Sequence, residues 1–486
     1  MINIGNLRPL NNPILKYALL GGFILLVFPL LIWFGYHWLV LFPIGLLFMY
    51  GVVYNTKFIF LSLILLTPLS INIEEYNNSF GLFIPTEPLL FSFLIFILSI
   101  QFYRPFIDNR IFGNPLFIAV CFYFLWLFIT SITSSSPIIS FKFLVARLWL
   151  IVPVLILGTT YFKENYNVKR FFWLFSISLS LVIIYTIYNH SQYGFDEKSG
   201  HWVMNPFFKD HTIYGAVIAL CLPFVIGLWV LENKNPLYRA IALLLFLILI
   251  TGLVFSYSRA AWLSVLLGAA LVLLVYFRVK FMYLFSSLLI LLSVLMYNWD
   301  SLIMELERNK KEHTAKNIEE RFESATNVST DASNLERINR WDCAISMFKE
   351  RPIVGFGPGT YAFEYARFQD PENLTIISTN FGNLGNAHSE YLGALSETGL
   401  LGLLFFSLIV ILFFYKSITL YQKMPKEYIE IRVFLLVILF SITTYFSHAF
   451  LNNFLDTDKA GVPIWCMFSM IICIDLFKDT LSSNPK

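Results

Sequence analysis

Charge is what this chain most lacks. Aspartate, glutamate, lysine and arginine make up 13% of its 486 residues, hydrophobic residues make up 57%, and the mean hydropathy is +0.69. An ordinary soluble domain carries roughly a quarter charged residues, so the composition excludes that class and implies a polytopic membrane protein. Cysteine is scarce too: Cys121, Cys221, Cys466 and Cys473 fall in apolar runs and only Cys343 in a hydrophilic stretch. That pattern suggests neither a disulfide framework nor a thiolate metal site. No small-residue cleavage site follows Arg8 and Lys16, so the first apolar run reads as an uncleaved span. No internal repeat of motifs is present, and a net charge of +3 gives no footprint for nucleic acid; where the charges fall is more informative.

Apolar runs of spanning length begin near Leu15, His37, Phe58, Pro88, Pro115, Phe141, Phe171, Thr212, Ala240, Ala260 and Phe281, and about three more follow from Tyr391, Val433 and Val462. This predicts an all-α fold of about 12–14 transmembrane helices. About eleven would lie in residues 1–298 and about three in 388–486, with a partly helical loop domain over 299–387 between them. If the N-terminus is cytoplasmic, the even-numbered loops hold Lys57; Arg104 and Arg110; Lys163, Lys169 and Arg170; Lys234 and Arg239; Arg278 and Lys280; and Lys416, Lys423, Lys426 and Arg432. The odd-numbered loops read Asn72-Ile73-Glu74-Glu75, Ser134-Ser135-Ser136-Pro137 and Phe454-Leu455-Asp456-Thr457-Asp458. That asymmetry is the positive-inside pattern. It predicts cytoplasmic termini and an outer-face location for the long loop, for Ser256-Tyr257-Ser258-Arg259 and for the segment from about Asn189 to His211.

Polar residues at span ends are the default place to look for function. Asn386-Ala387-His388-Ser389-Glu390 stands where the hydrophilic region re-enters an apolar run. It suits a helix start and equally a site. Arg259 sits between two apolar runs with almost no polar loop around it. Position alone leaves open head-group snorkelling, a carboxylate partner and a bound phosphate. Arg147, some way into its span, poses the same question. In the long loop, Glu305 to Ser324 reads as a solvated charged helix. Leu335 to Glu350 has helical period, with Ile338, Trp341, Ala344, Ile345 and Phe348 as its apolar face. Pro352 ends that helix, and Gly355, Gly357 and Gly359 suit either a plain turn or amides presented to an anion.

Several of these stretches together carry a resemblance. They are Tyr257-Ser258-Arg259-Ala260-Ala261-Trp262; Arg337-Ile338-Asn339-Arg340-Trp341 with Ala344; Pro352 to Gly359; and Ala387-His388-Ser389-Glu390-Tyr391-Leu392 with Glu397-Thr398-Gly399-Leu400-Leu401-Gly402. In this order, across a long outer loop, the chain resembles the O-antigen ligase and polymerase superfamily of bacterial inner-membrane glycosyltransferases. The motifs cover roughly residues 251–404, while Phe207-Phe208-Lys209-Asp210-His211 is a less specific match. Ser389, where relatives commonly carry Asn, and Ala260, where many carry Gly, are departures that remove no ionisable group.

The resemblance implies transfer of a glycan from an undecaprenyl diphosphate carrier to a hydroxyl, on lipid A-core or another acceptor, with membrane lipids as surroundings. It casts Arg259 and Arg337 as the diphosphate clamp and His388 as the general base. Arg147, Arg340, His211, Lys209, Glu390 and Glu397 are further candidates. Glu74, Glu75, Asp196 and Asp210 form no Asp-x-Asp pair, so neither a metal nor any other cofactor is expected. Ligase, polymerase and protein oligosaccharyltransferase compete within the resemblance, with ligase preferred. A transporter or lipid flippase, the reading from another class, would place paired charges and broken helices near the midplane; the informative polar residues here collect at one face.

Overall fold

The computed structural model describes residues 50–52, 54–73, 81–103, 107–297, 332–369 and 385–482. The apolar runs from Leu15 and His37 and the charged stretch from Glu305 to Ser324 lie outside them. The described chain is almost wholly helical, and its one sheet is a two-residue antiparallel ladder pairing Ile71 with Ile84 and Asn72 with Phe83. Helices dominate because a segment in hydrocarbon must satisfy its own backbone groups. Apart from the single turns Glu197–Gly200 and Tyr361–Glu364, the α-helices in chain order are α1 (Thr56–Leu66), α2 (Thr86–Tyr103), α3 (Pro115–Ile132), α4 (Pro137–Tyr161), α5 (Asn165–Ser191), α6 (His211–Leu231), α7 (Pro236–Val254), α8 (Arg259–Tyr276), α9 (Phe281–Tyr297), α10 (Ala332–Glu350), α11 (Glu390–Lys423), α12 (Ile429–His448) and α13 (Asp458–Ser482). Nine of those described, α3 to α8 and α11 to α13, are long and apolar enough to cross a membrane; α1, α2 and α9 are apolar over shorter stretches. The protein is an all-α polytopic membrane protein.

Helix starts follow the sequence closely. Asn114 and Asn235 cap α3 and α7 just before Pro115 and Pro236, and Asp210 accepts from the Thr212 and Ile213 amides to start α6 at His211. α6 and α13 are the enclosed helices, whereas α7 and α8 turn most of their surface outward. α6 packs against α12, α7 and α5, and α13 against α4. One end of the bundle gathers basic residues: Lys169 pairs with Glu430, and Lys416 with Asp475. The other end carries the turns at 133–136, 255–258 and 449–457, and against it lies the loop segment containing α10.

The loop is fastened to the bundle by its backbone. Residues Pro352 to Gly359 dock on a break in α11, where Gly399 takes φ 69 and ψ −171. The Leu400 amide donates to Pro352, Phe356 to Ser396 and Gly357 to Glu397, while Ser135 of the 133–136 turn donates to Phe356. Gly399 has no freedom to change: a Cβ there would stand 2.1 Å from the Ile353 carbonyl oxygen, and backbone cannot move aside as a side chain can. Gly399→Ala is therefore expected to cost about 2 kcal/mol or more and to lower the melting midpoint of the detergent-solubilised protein; an unchanged midpoint would mean the joint is slack.

The buried face of α10 differs from the predicted one. Glu336, Asn339, Arg340, Cys343, Ala344 and Met347 are buried, while Ile338, Trp341, Ile345 and Phe348 are half-exposed. The helix turns a polar-apolar stripe inward because its small core, shared with Phe356, Tyr361, Tyr365 and Ala387, is built around the Arg340–Glu336 ion pair. The guanidinium Nε lies 2.7 Å from Glu336, and the group sits 5.1 Å from the Tyr365 ring centroid.

Candidate active site

The approach to α11 is a built turn. The Asn386 side chain accepts from the His388 amide at 3.0 Å, Ser389 caps the helix by accepting from the Leu392 amide, and His388 takes φ 46. A non-glycine residue in the left-handed region costs free energy. Here the cost is borne by flanking bonds: Arg340 donates to the Asn386 carbonyl at 3.2 Å, and the Glu390 amide donates to Ala449 at 2.9 Å. The Glu390 carboxylate accepts from the Tyr445 hydroxyl at 2.7 Å and the Leu455 amide at 2.8 Å. Glu390 thus ties α11 to α12 and to the 449–457 turn.

The Asn452 side-chain amide bonds His448 Nε2 at 3.0 Å and stands close enough to the His388 ring to weigh on its protonation. The Ala260 backbone, next to Arg259, approaches the His448 ring. Arg337, on α10, is near enough to act electrostatically on His388, His448 and His211. One cluster therefore draws on α6, α8, α10, α12 and the start of α11. Arg259 is the first residue of α8, reached through Tyr257 at φ 51, and Gly215 of α6 lets the turn come close, since a Cβ there would meet Ser258 at 2.8 Å. Trp262 Nε1 donates to Leu253 at 2.8 Å and holds α7 and α8 together at this corner. Burial, and then the charges of Arg340 and Arg337, push the His388 imidazole down to about 4.

Residues 244–407 match the family model described as O-antigen ligase. That region of the chain is similar to the O-antigen ligase family. No curated protein matches the chain. The ligase-family region runs from α7 through α8, α9 and α10 into α11, so it contains Arg259, Arg337 and His388, while His211, His448 and Asn452 come from outside it. Sequence reading missed the last two, although a histidine ending an apolar run is itself a signal.

Of the remaining candidates, His211 stays beside the cluster and stacks on His201 with ring centroids 4.2 Å apart, while Lys209 is exposed beside the Asp210 cap. Glu397 accepts from the Gly359 amide at 2.9 Å and the Tyr361 amide at 3.0 Å; the anion that the glycine-rich turn receives is this carboxylate. Arg147 pairs with Asp456. An Asp-x-Asp pair does stand in the sequence, Asp456 and Asp458, contrary to the reading from Glu74, Glu75, Asp196 and Asp210. The two part company in the fold: Asp458 accepts from the Ser70 hydroxyl at 2.5 Å, beside Lys459, which donates to the Thr67, Pro68 and Ser70 carbonyls. Among the described residues no three metal-binding side chains converge.

Proposed function

We propose that the protein transfers a glycan from undecaprenyl diphosphate to an acceptor hydroxyl at the periplasmic face of the bacterial inner membrane, most naturally O-antigen to lipid A-core. The observation that carries this reading is that Arg337 lies near enough to His388 to act on it electrostatically, in the same ligase-family region that holds Arg259. The acceptor oxygen attacks the anomeric carbon as the bond from that carbon to the diphosphate oxygen breaks, and the diphosphate leaves with the electron pair. Arg259 and Arg337 stabilise the charge that develops on it without needing to reorganise. The proton of the hydroxyl passes to the neutral His388 ring. Arg340 is a positioning residue, because it grips Glu336 and the Asn386 carbonyl ahead of His388.

The deciding experiment is the glycolipid profile of a deletion strain. Loss of glycan-capped lipid A with accumulation of carrier-linked glycan is the expected result. Single-unit capping would point to a polymerase, and an unchanged profile would direct attention to a protein acceptor. Orientation has its own test: a reporter fused after Arg351 should read as exported and one after Lys423 as cytoplasmic. A cytoplasmic signal at Arg351 would put every proposed site residue on the wrong side of the membrane. Transfer is further expected to survive a chelator, and restoration by Mg²⁺ after chelation would reveal a carboxylate metal site.

A further inference from the structure

A second polar space lies across the 386–390 segment from the histidine cluster. It is a cavity of about 250 Å³ that Asn386, Ala387 and Ser389 line and His388 does not. Its free polar groups are few and specific. Arg147, on α4, is only 7% exposed and spends one end of its guanidinium on Asp456, while its Nε has no partner among the described residues. The same holds for the Asn453 carbonyl oxygen, and both residues face the cavity. A buried donor left without a partner costs about 1–3 kcal/mol, which favours a ligand that supplies one. Rings from Tyr123, Phe143 and Phe406 complete the wall.

The chemistry of that wall selects against phosphate. Three carboxyl groups, Glu390, Glu397 and Asp456, face the cavity together with one guanidinium, and a diphosphate would meet acceptors where it needs donors. A hydroxyl-rich neutral ring fits both halves: its hydroxyls can donate to Asp456 and Asn453 and accept from Arg147, and its apolar face can lie on aromatic rings. The volume is just below the ~300–1,000 Å³ of common ligand pockets, which suits one sugar ring and not an oligosaccharide.

We propose that this cavity is a sugar subsite on the acceptor side, holding the ring whose hydroxyl is glycosylated. The assignment to the acceptor rests on the proposed transfer reaction; the binding of a sugar does not. Asn453 is adjacent in sequence to Asn452, whose side chain bonds the His448 ring at 3.0 Å, so the cavity and the histidine cluster meet at neighbouring residues of one turn.

The test measures transfer by purified protein from an undecaprenyl diphosphate-linked glycan to lipid A-core extracted from a ligase-deficient strain. Asn453→Ala and Asp456→Asn should each raise the acceptor KM about 10-fold, as loss of one net hydrogen bond implies, and leave the donor KM unchanged. A raised donor KM, or no change in either constant, would overturn the subsite. If the wild-type protein transfers nothing from this donor, the proposed reaction fails, and the cavity is read separately by saturation-transfer NMR with free glucose, galactose and N-acetylglucosamine. Signal on at least one sugar that is retained in Arg259→Ala and lost in both Ala394→Trp, which fills the cavity, and Asn453→Ala would uphold a sugar site. Signal on none, or signal untouched by both cavity variants, would eliminate it.

Discussion

Arg259→Ala and Arg337→Ala are each expected to lower transfer by about 10²–10³-fold, the loss seen when one preplaced charge-stabilising donor is removed from an active site. Expression and melting midpoint should change little, because both side chains are part-exposed and neither belongs to the buried cores. Arg259→Lys and Arg337→Lys should recover only a fraction of the rate, since an ammonium lacks the planar fork that holds two phosphate oxygens at once. The measurement is initial rate against donor concentration. Full activity in both Arg259→Ala and Arg259→Lys would return that residue to contact with lipid head groups.

His388→Ala and His388→Gln should both abolish transfer while donor binding persists, because glutamine keeps a hydrogen bond but cannot take up the acceptor proton. The pH profile is the sharper measurement. A base works in its neutral form, so its acid limb lies at the pKa of the ring. An unperturbed histidine would put that limb near about 6.5. Burial and the charges of Arg340 and Arg337 push the His388 ring down to about 4, so the neutral form persists far below that value. Transfer should stay level from pH 7 through 6 and fall only as the pH approaches 4. Arg340→Gln removes one of the cations that oppose protonation, and should move the limb upward towards the ordinary imidazole value. A fall centred near 6.5 in the wild-type protein would mean that the ring is solvated during turnover, and high activity in His388→Gln would move the base elsewhere, with Glu390 and His211 the residues to try next.

Much of this was legible in the chain. The apolar runs announced helices, Arg259 and His388 stood out as costly groups at span ends, and Arg337 entered through the resemblance. Other features could not be read. Glu397 stood among the further candidates, yet its carboxylate is held by the Gly359 and Tyr361 amides at the glycine-rich turn. On α10 the more apolar stripe was expected inside. The inward stripe instead carries Arg340 and Glu336, because an ion pair within one helix turn can be buried when its partners satisfy each other and the loop core closes around them.

Hydrophobicity, capping and the cost of an isolated charge are local properties, and they alone determined the helical membrane class, the helix starts and the identity of the ionisable groups worth asking about. Only the tertiary structure decided which of these meet. Arg337 comes near enough to act on both His388 and His448, Arg147 is drawn to Asp456 and away from the histidine cluster, and Asp456 and Asp458 turn to different partners although one residue separates them. Each of these pairings crosses helices far apart in the chain or is set by the direction a turn gives a side chain. Packing fixes both, and no short stretch of residues encodes the partner it will find.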